Sequence, residues 1–476
     1  MSRNPLIVLA ISAAAATLSA QPDARSAIVP GIEARRTAYA DIAKQIWGFA
    51  EVGYQEEQSS ALLQRQLKAA GFEVASRLAD TPTAFVATWG SGKPIIGIVG
   101  EFDALPGLSQ EAQTGARKPL VENGAGHGCG HNLLGTGALA AAIAVKDWLI
   151  ATRHAGTIRY YGTPAEEGGS GKVYMIRAGL FKDADAIVSW HPGDRNEASP
   201  TSSTANVTGK FRFRGVAAHA AAAPDRGRSA LDAVEAMDYM VNMMREHVPQ
   251  ETRIHYIITS GGKAPNVVPD FAEAYYYARH GDMRILDGIW ERIVNAAKGA
   301  ALGTGTTMDF ELVNSVYNVL PNDALADVMQ GVFNRVGGYA YTAEEKAFAE
   351  QIRTSLTGKL PPLDEASRVS PPETGVSPGS TDMGDLSWVV PTVQLSAATW
   401  VPGTPAHSWQ AVAAGGMSIG AKGMMVAAKT MALTAIELFN NPAHLPKARA
   451  EFEKRLDGFA YKSRVGDRKP PLDYRR

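Results

Sequence analysis

Four short runs in this chain carry side chains that could do chemistry. They are Gly128-Cys129-Gly130-His131-Asn132, Pro164-Ala165-Glu166-Glu167-Gly168-Gly169, Trp190-His191-Pro192 and Gly403-Thr404-Pro405-Ala406-His407-Ser408. In the first, alternate residues put a thiol and an imidazole on one side, and the glycines let the backbone fold close around an ion. The run enters a helix, whose N-terminus favours the thiolate that a metal requires. In the second, adjacent carboxylates repel each other and need a cation or a shared proton to be tolerated. Consecutive side chains diverge, so one could ligate a metal while its neighbour holds a water. Taken singly, each feature has a plainer reading: a buried Cys beside a capping His, two solvated glutamates, a satisfied core histidine. Together they supply S, N and O ligands suited to a borderline metal such as zinc or manganese.

Other chemistries fit less well. The chain has no P-loop. Gly303 and Gly305 follow a predicted helix and precede a strand, the wrong context for dinucleotide binding. Cys129 as a nucleophile with His131 as its base has poor geometry at a spacing of two on a turn, and it leaves the glutamate pair unexplained.

The elements that must position these residues follow from periodicity. Positions 31–71 repeat as a helix ending at Gly71, followed by β-rich runs at Ala84–Trp89 and Ile95–Val99. The second run leads into Gly100-Glu101-Phe102-Asp103-Ala104-Leu105-Pro106-Gly107, a loop by its Pro and Gly. A long apolar helix at Leu133–Ile150, strands at Thr157–Gly162 and Ala186–Trp190, and a helix at Gly171–Ala178 complete an α/β pattern. Such sheets bind ligands beyond the ends of their strands. The middle of the chain changes to a β-α-β-β-α-β order: a strand at 206–214, a helix at Ser229–His247, strands at Arg253–Thr259 and Phe271–Ala278, a helix at Ile285–Ala301 and a strand at Thr307–Leu312. That is the order of a ferredoxin-like module set between two halves of something larger. A Pro-rich loop at 361–378, a strand at Thr392–Leu395 and a helix at Met417–Asn440 follow, and the charged stretch from 441 on is expected to pack loosely on the surface.

A chain of 476 residues is expected to form two domains. Its 45% hydrophobic and 20% charged content describes a globular protein, and a formal net charge of -1 gives no pull toward nucleic acid. Arg3, an apolar run from Leu6 to Ala16 and Ser19-Ala20 before Gln21 read as a signal peptide over 1–20. The run is shorter than the roughly 20 residues that span a bilayer. An exported, periplasmic or secreted protein, with no membrane attachment after cleavage, is the expectation. Cys129 is the only cysteine, so an internal disulfide is excluded.

The runs Gly100-Glu101-Phe102-Asp103-Ala104-Leu105-Pro106, Gly128-Cys129-Gly130-His131, Pro164 to Gly169 and Gly379-Ser380-Thr381-Asp382 resemble the aminoacylase/carboxypeptidase family of dinuclear metallohydrolases. They are most similar to its subgroup of p-aminobenzoyl-glutamate hydrolases and auxin-conjugate hydrolases. The resemblance implies a zinc-exopeptidase-like α/β catalytic domain, a mixed sheet flanked by helices, split over 25–206 and 319–445. It implies an inserted ferredoxin-like lid and dimerisation domain at 207–318, with 446–476 as a tail.

It also implies roles. Cys129, His131, Glu167, His191 and His407 match the positions that hold two divalent metal ions per subunit, Zn2+ or Mn2+. Glu166 matches the general base, and Asp103 an acid behind the ligands. Glu101 stands where other branches place a histidine ligand. His219 matches an oxyanion-stabilising histidine that reaches across a homodimer, and Asn266 and Arg279 match positions that meet the substrate carboxylate. Arg279 reads equally as a lid salt bridge. The activity implied is hydrolysis of the amide of an N-acyl or N-aminobenzoyl amino acid, such as a p-aminobenzoyl-glutamate-like conjugate. A metal-dependent dipeptidase or carboxypeptidase is the alternative. A non-catalytic metal- or substrate-binding protein is the remaining one, against which Glu166 argues.

Overall fold

The computed structural model describes residues 24–198 and 201–475, so the signal-peptide reading falls outside the described residues. Two sheets organise the chain. The first has six strands in the order β1-β2-β4-β3-β5-β12: β1 Glu73–Ser76, β2 Phe85–Ser91, β3 Ile95–Gly100, β4 Gly156–Gly162, β5 Ala186–Gly193 and β12 Thr392–Ala398. β4, β3, β5 and β12 run parallel, and β1 and β2 are antiparallel additions at one edge. The parallel strands are buried almost throughout, which is why they read as continuous apolar runs such as Ile95 to Val99.

Helices His131–Thr152 and Ser418–Asn440 lie against this sheet. Both are long and apolar enough to span a bilayer, yet 83% and 78% of their apolar windows are buried inside the protein, so they are core helices. The region predicted as one helix over 31–71 is three, Ile28–Ala34, Arg36–Phe49 and Glu57–Ala69. The break before the third comes where Ala50 (φ 46°) and Tyr54 (φ 64°) turn left-handed.

The second sheet has β7 Ala205–Arg214, β8 Arg253–Ser260, β9 Phe271–His280 and β10 Thr307–Val316 in the order β10-β7-β9-β8, all antiparallel. This is the ferredoxin-like order. Helices Ala230–Met244 and Met283–Thr304 cover one face, where Val207, Phe211, Phe213, Ala274, Tyr276 and Ala278 form a separate core. The strand period of two turns Asn206, Thr208, Tyr275, Tyr277 and Arg279 to the opposite face, which walls a cleft against the first sheet. A short parallel pair, β6 Ser202–Ser203 with β11 Val376–Ser377, pins the crossing chain to the Pro-rich loop.

The tail corrects the sequence expectation. Helix His444–Leu456 buries Ala448 and Phe452, and Arg464 pairs with Asp287. Arg468 donates to the carbonyls of Leu312 and Val313 at 2.7 Å each. Its charges serve as donors to distant elements, a use that local composition does not reveal.

Gly423 shows how closely the last core helix packs. A Cβ there would collide with the carbonyl of Ala398 at the end of β12. Although Ala is the better helix former, Gly423→Ala is expected to destabilise the protein by about 1–3 kcal/mol through overpacking. The urea midpoint measures this, and an unchanged or raised midpoint contradicts the close approach.

Candidate metal centre and active site

The predicted ligands arrive from the carboxyl ends of four parallel strands. Cys129 and His131 follow β3 through a long loop, Glu166 and Glu167 follow β4, His191 lies near the end of β5, and His407 follows β12. Glycines permit the approach. Gly130 turns left-handed (φ 72°) against Pro192, whose Cβ would lie 2.7 Å from a Cβ there, and a Cβ on Gly128 would press on Leu108 and His407.

Ligand-type atoms of Cys129, His131 and His191 lie within 4.8 Å of one another, as do those of Cys129, Glu167 and His407. Cys129 belongs to both groups. Cys129 Sγ is 3.3 Å from His191 Nε2, and His407 Nε2 is 3.2 Å from Glu167 Oε1. His131 Nδ1–H donates to Asp103 Oδ1 at 2.9 Å, and His191 Nδ1–H donates to the Pro192 carbonyl at 2.7 Å. Both rings therefore turn the Nε2 lone pair into the site, the tautomer a ligand needs. His131 Nε2, Glu101 Oε2 and Glu167 Oε1 are buried without hydrogen-bond partners. Buried polar atoms facing one another without hydrogen bonds are costly unless a cation joins them. The donor set and these orphaned atoms fit divalent ions.

Electrostatics agree. Burial pushes Glu166 well above the usual carboxylate range, and the charges of Glu101, Glu167 and Asp382 add to it. Burial raises the Cys129 thiol, reinforced by Glu167, so the helix N-terminus alone does not hold it as thiolate. A bound cation reverses both effects. Burial depresses His191. His131 is burdened by burial too, but Cys129 and Asp103 carry it well above its ordinary value. The Glu167 carboxylate, 3.2 Å from its Nε2, raises His407.

Asp103 sits behind the ligands, fully buried, and its second oxygen accepts the Glu167 N–H at 2.9 Å. Other groups went unnoticed in the sequence. Lys172, wholly buried, reaches Glu101 at 2.7 Å and Asp382 at 2.6 Å. Glu56 accepts the Ala165 N–H at 2.8 Å, and burial beside Asp103 pushes its pKa up to about 8. Tyr474 and Arg475 line the cleft next to Glu167. Lys172 had a faint signal, a lone lysine between glycines and an apolar run; Tyr474 and Arg475 had none.

The cleft, about 1000 Å³, is lined by Cys129, Glu166, Glu167, His191, His407 and Arg279. Arg279 contributes a buried Nε without a hydrogen-bond partner, and no salt bridge to it is found among the described residues. His219 and Asn266 are not brought to this cleft. They lie side by side on exposed lid loops, where the Ala220 N–H meets the Asn266 carbonyl at 3.0 Å.

This sheet, with metal-ligand side chains gathered at the ends of its parallel strands, defines a metal-dependent hydrolase. Residues 97–433 match the profile of peptidase family M20/M25/M40. The chain is 42% identical over 456 residues to one of the two subunits of the p-aminobenzoyl-glutamate hydrolase of Escherichia coli (strain K12), covering 90% of this chain and 95% of that one. It is 31% identical over 432 residues to Xaa-Arg dipeptidase of Mus musculus, covering 87% and 89%. Its fold matches YXEP of Bacillus subtilis, a dinuclear metal binding peptidase of the M20 family, with a TM-score of 0.58 at 18% identity over 86% of this chain and 99% of that one. The chain belongs to the M20/M25/M40 peptidase family and is an enzyme acting on amide bonds.

Cys129 as a metal ligand has a direct consequence. The metal-loaded protein is expected to resist thiol reagents, and chelation to expose a thiol that labels at higher pH than an ordinary thiol, since burial raises it. Equal labelling with and without chelator rules the ligand role out.

Proposed function

We propose that this enzyme hydrolyses the amide joining an aromatic or other acyl group to a carboxylate-bearing amino acid, a p-aminobenzoyl-glutamate-type conjugate. The observation that carries the reading is Glu166, which lines the cleft with Glu167 and whose carboxylate lies within 4.8 Å of ligand-type atoms of Glu101 and His131. The relative of 42% identity points to the aminobenzoyl-glutamate class. Cys129, His131 and His191 would hold one ion, and Cys129, Glu167 and His407 a second, as Zn2+ or Mn2+. Divalent ions there would lower the pKa of a water toward neutrality and polarise the amide carbonyl. Glu166 accepts the proton of the attacking water on its carboxylate and passes it to the leaving nitrogen. Asp103 keeps His131 in its ligand tautomer, and Arg279, facing the cleft with unfilled donors, takes the substrate carboxylate. The apolar run near the N-terminus supports export to the periplasm or beyond.

A dipeptidase activity is the second reading, favoured by the Xaa-Arg dipeptidase relatives. Purified protein assayed against p-aminobenzoyl-glutamate, N-acyl amino acids and dipeptides decides between them, with Glu166→Gln as the control. That variant is expected to keep its metal content and lose at least about 10²-fold in turnover. Full activity in it removes the general-base role.

The lid supports a homodimer. β8 is an open edge with Ile257 and Ile258 exposed, and Tyr239, Val216 and Val267 add apolar surface. Open apolar edges invite pairing with a second chain. His219 Nδ1 accepts the N–H groups of Ala221 and Ala222, which leaves the proton on Nε2. From a second copy, that N–H would meet the developing oxyanion, a donor worth about 2.7–4 kcal/mol, with Asn266 beside it. Mixing inactive Glu166→Gln with inactive His219→Ala is then expected to restore part of the activity, since each heterodimer holds one intact site. No recovery after verified subunit exchange means that the site is not shared.

A further inference from the structure

The segment Pro470–Arg475 lies outside residues 97–433 that match the family profile, yet it runs onto the loop that carries Glu166 and Glu167. Tyr474 Oη donates to the Glu167 carbonyl at 3.0 Å, and Arg475 Nη2 donates to the same oxygen at 2.7 Å. Two donors fill both lone pairs of that carbonyl. On its other side, the Glu167 peptide N–H is held by Asp103 at 2.9 Å. Glu167 is thus gripped at both of its peptide groups, once from the core and once from this distant segment.

The seat is built to receive it. The Tyr474 ring meets Tyr54 edge-on, with centroids 5.9 Å apart, and Tyr54 Oη donates to the Gly169 carbonyl at 2.8 Å. Gly53 leaves the space that the Tyr474 hydroxyl occupies, since a Cβ there would strike it. Arg468 fastens the approach to the Leu312 and Val313 carbonyls. The loop needs such restraint. Ala165 and Ser170 both hold φ near 55°, a left-handed conformation that costs energy for residues other than glycine and persists only where surroundings impose it.

We propose that Tyr474 and Arg475 are positioning residues of the active site, fixing the Glu166–Glu167 turn from the outer wall of the cleft through the Glu167 carbonyl. Without them the turn relaxes, and both carboxylates leave the geometry that reaction and metal retention require. Misplacement of about 1 Å at a reacting group costs rate steeply. The proposal rests on the reading of Glu166 and Glu167 as the working pair, so the test includes an arm that needs no substrate.

Four variants of the full-length protein decide it: a chain stopped after Lys469, Arg475→Ala, Arg475→Lys and Tyr474→Phe. The truncation and Arg475→Ala are expected to lower kcat at least about 10-fold with KM nearly unchanged. They should also release Zn2+ or Mn2+ to a chromogenic chelator at least about threefold faster. Arg475→Lys, which can still donate to the carbonyl, recovers part of both effects. Tyr474→Phe, which keeps the ring contact and loses one donor, shows a smaller loss. Wild-type kcat and metal retention in the truncated chain overturn the proposal. So does a loss that lysine does not relieve, or one that vanishes on cooling and follows the melting temperature. If the unmodified enzyme turns over none of the tested amides, the function reading fails and the chelator arm alone still decides this one.

Discussion

The structure turns on how much negative charge can be held beneath one cleft. Glu56, Glu101, Asp103, Glu166, Glu167 and Asp382 crowd the ends of β3 and β4, and most are out of water. Lys172 answers part of that charge by bridging Glu101 and Asp382, and the histidines answer some more. The remainder raises the proton affinity of several groups. Burial lifts Asp382 to about 6 and Glu56 to about 8, and Glu166 and the Cys129 thiol are driven up as well. Such an arrangement is stable only with protons or with cations in it. Divalent ions displace the protons, which couples metal binding to pH and folds the metal into the energetics of the site.

Glu101 and Lys172 belong to this balance as a pair. A carboxylate buried this deeply would add uncompensated charge. The lysine on the short helix Gly171–Arg177 meets it at 2.7 Å and ties it to Asp382. Glu101 is then close enough to His131 Nε2, at 3.1 Å, to shape the same cluster without forming a hydrogen bond there. The buried carboxylate of Glu101 is accommodated by a partner far along the chain.

Division of labour between the two sheets follows from their patterning. The first sheet is buried on both faces along its parallel strands and supplies rigid strand ends, the positions from which ligands can converge. The second is buried on one face only, so its other face can carry Asn206, Tyr277 and Arg279 to the cleft. Its free edge at β8 and the loops bearing His219 and Asn266 remain outside the cleft.

Much of this was legible in the residues. Period-two and apolar runs located most strands within a residue or two, and the β-α-β-β-α-β order fixed the ferredoxin-like module, because these patterns reflect local burial that each element needs wherever it is placed. Side chains of ligand type at the ends of apolar runs singled out Cys129, His131, Glu167, His191 and His407, with Glu166 beside Glu167, and the structure brings possible ligand atoms of these residues close together. The break at Ala50 to Glu56, the burial of Lys172 and the docking of Tyr474 and Arg475 were not legible. Each depends on a partner far away in sequence: Glu56 with Ala165, Lys172 with Asp382, Tyr474 with Glu167. Local sequence records what a segment requires, while such pairings arise only when folding brings the segments together and decides which donor finds which acceptor.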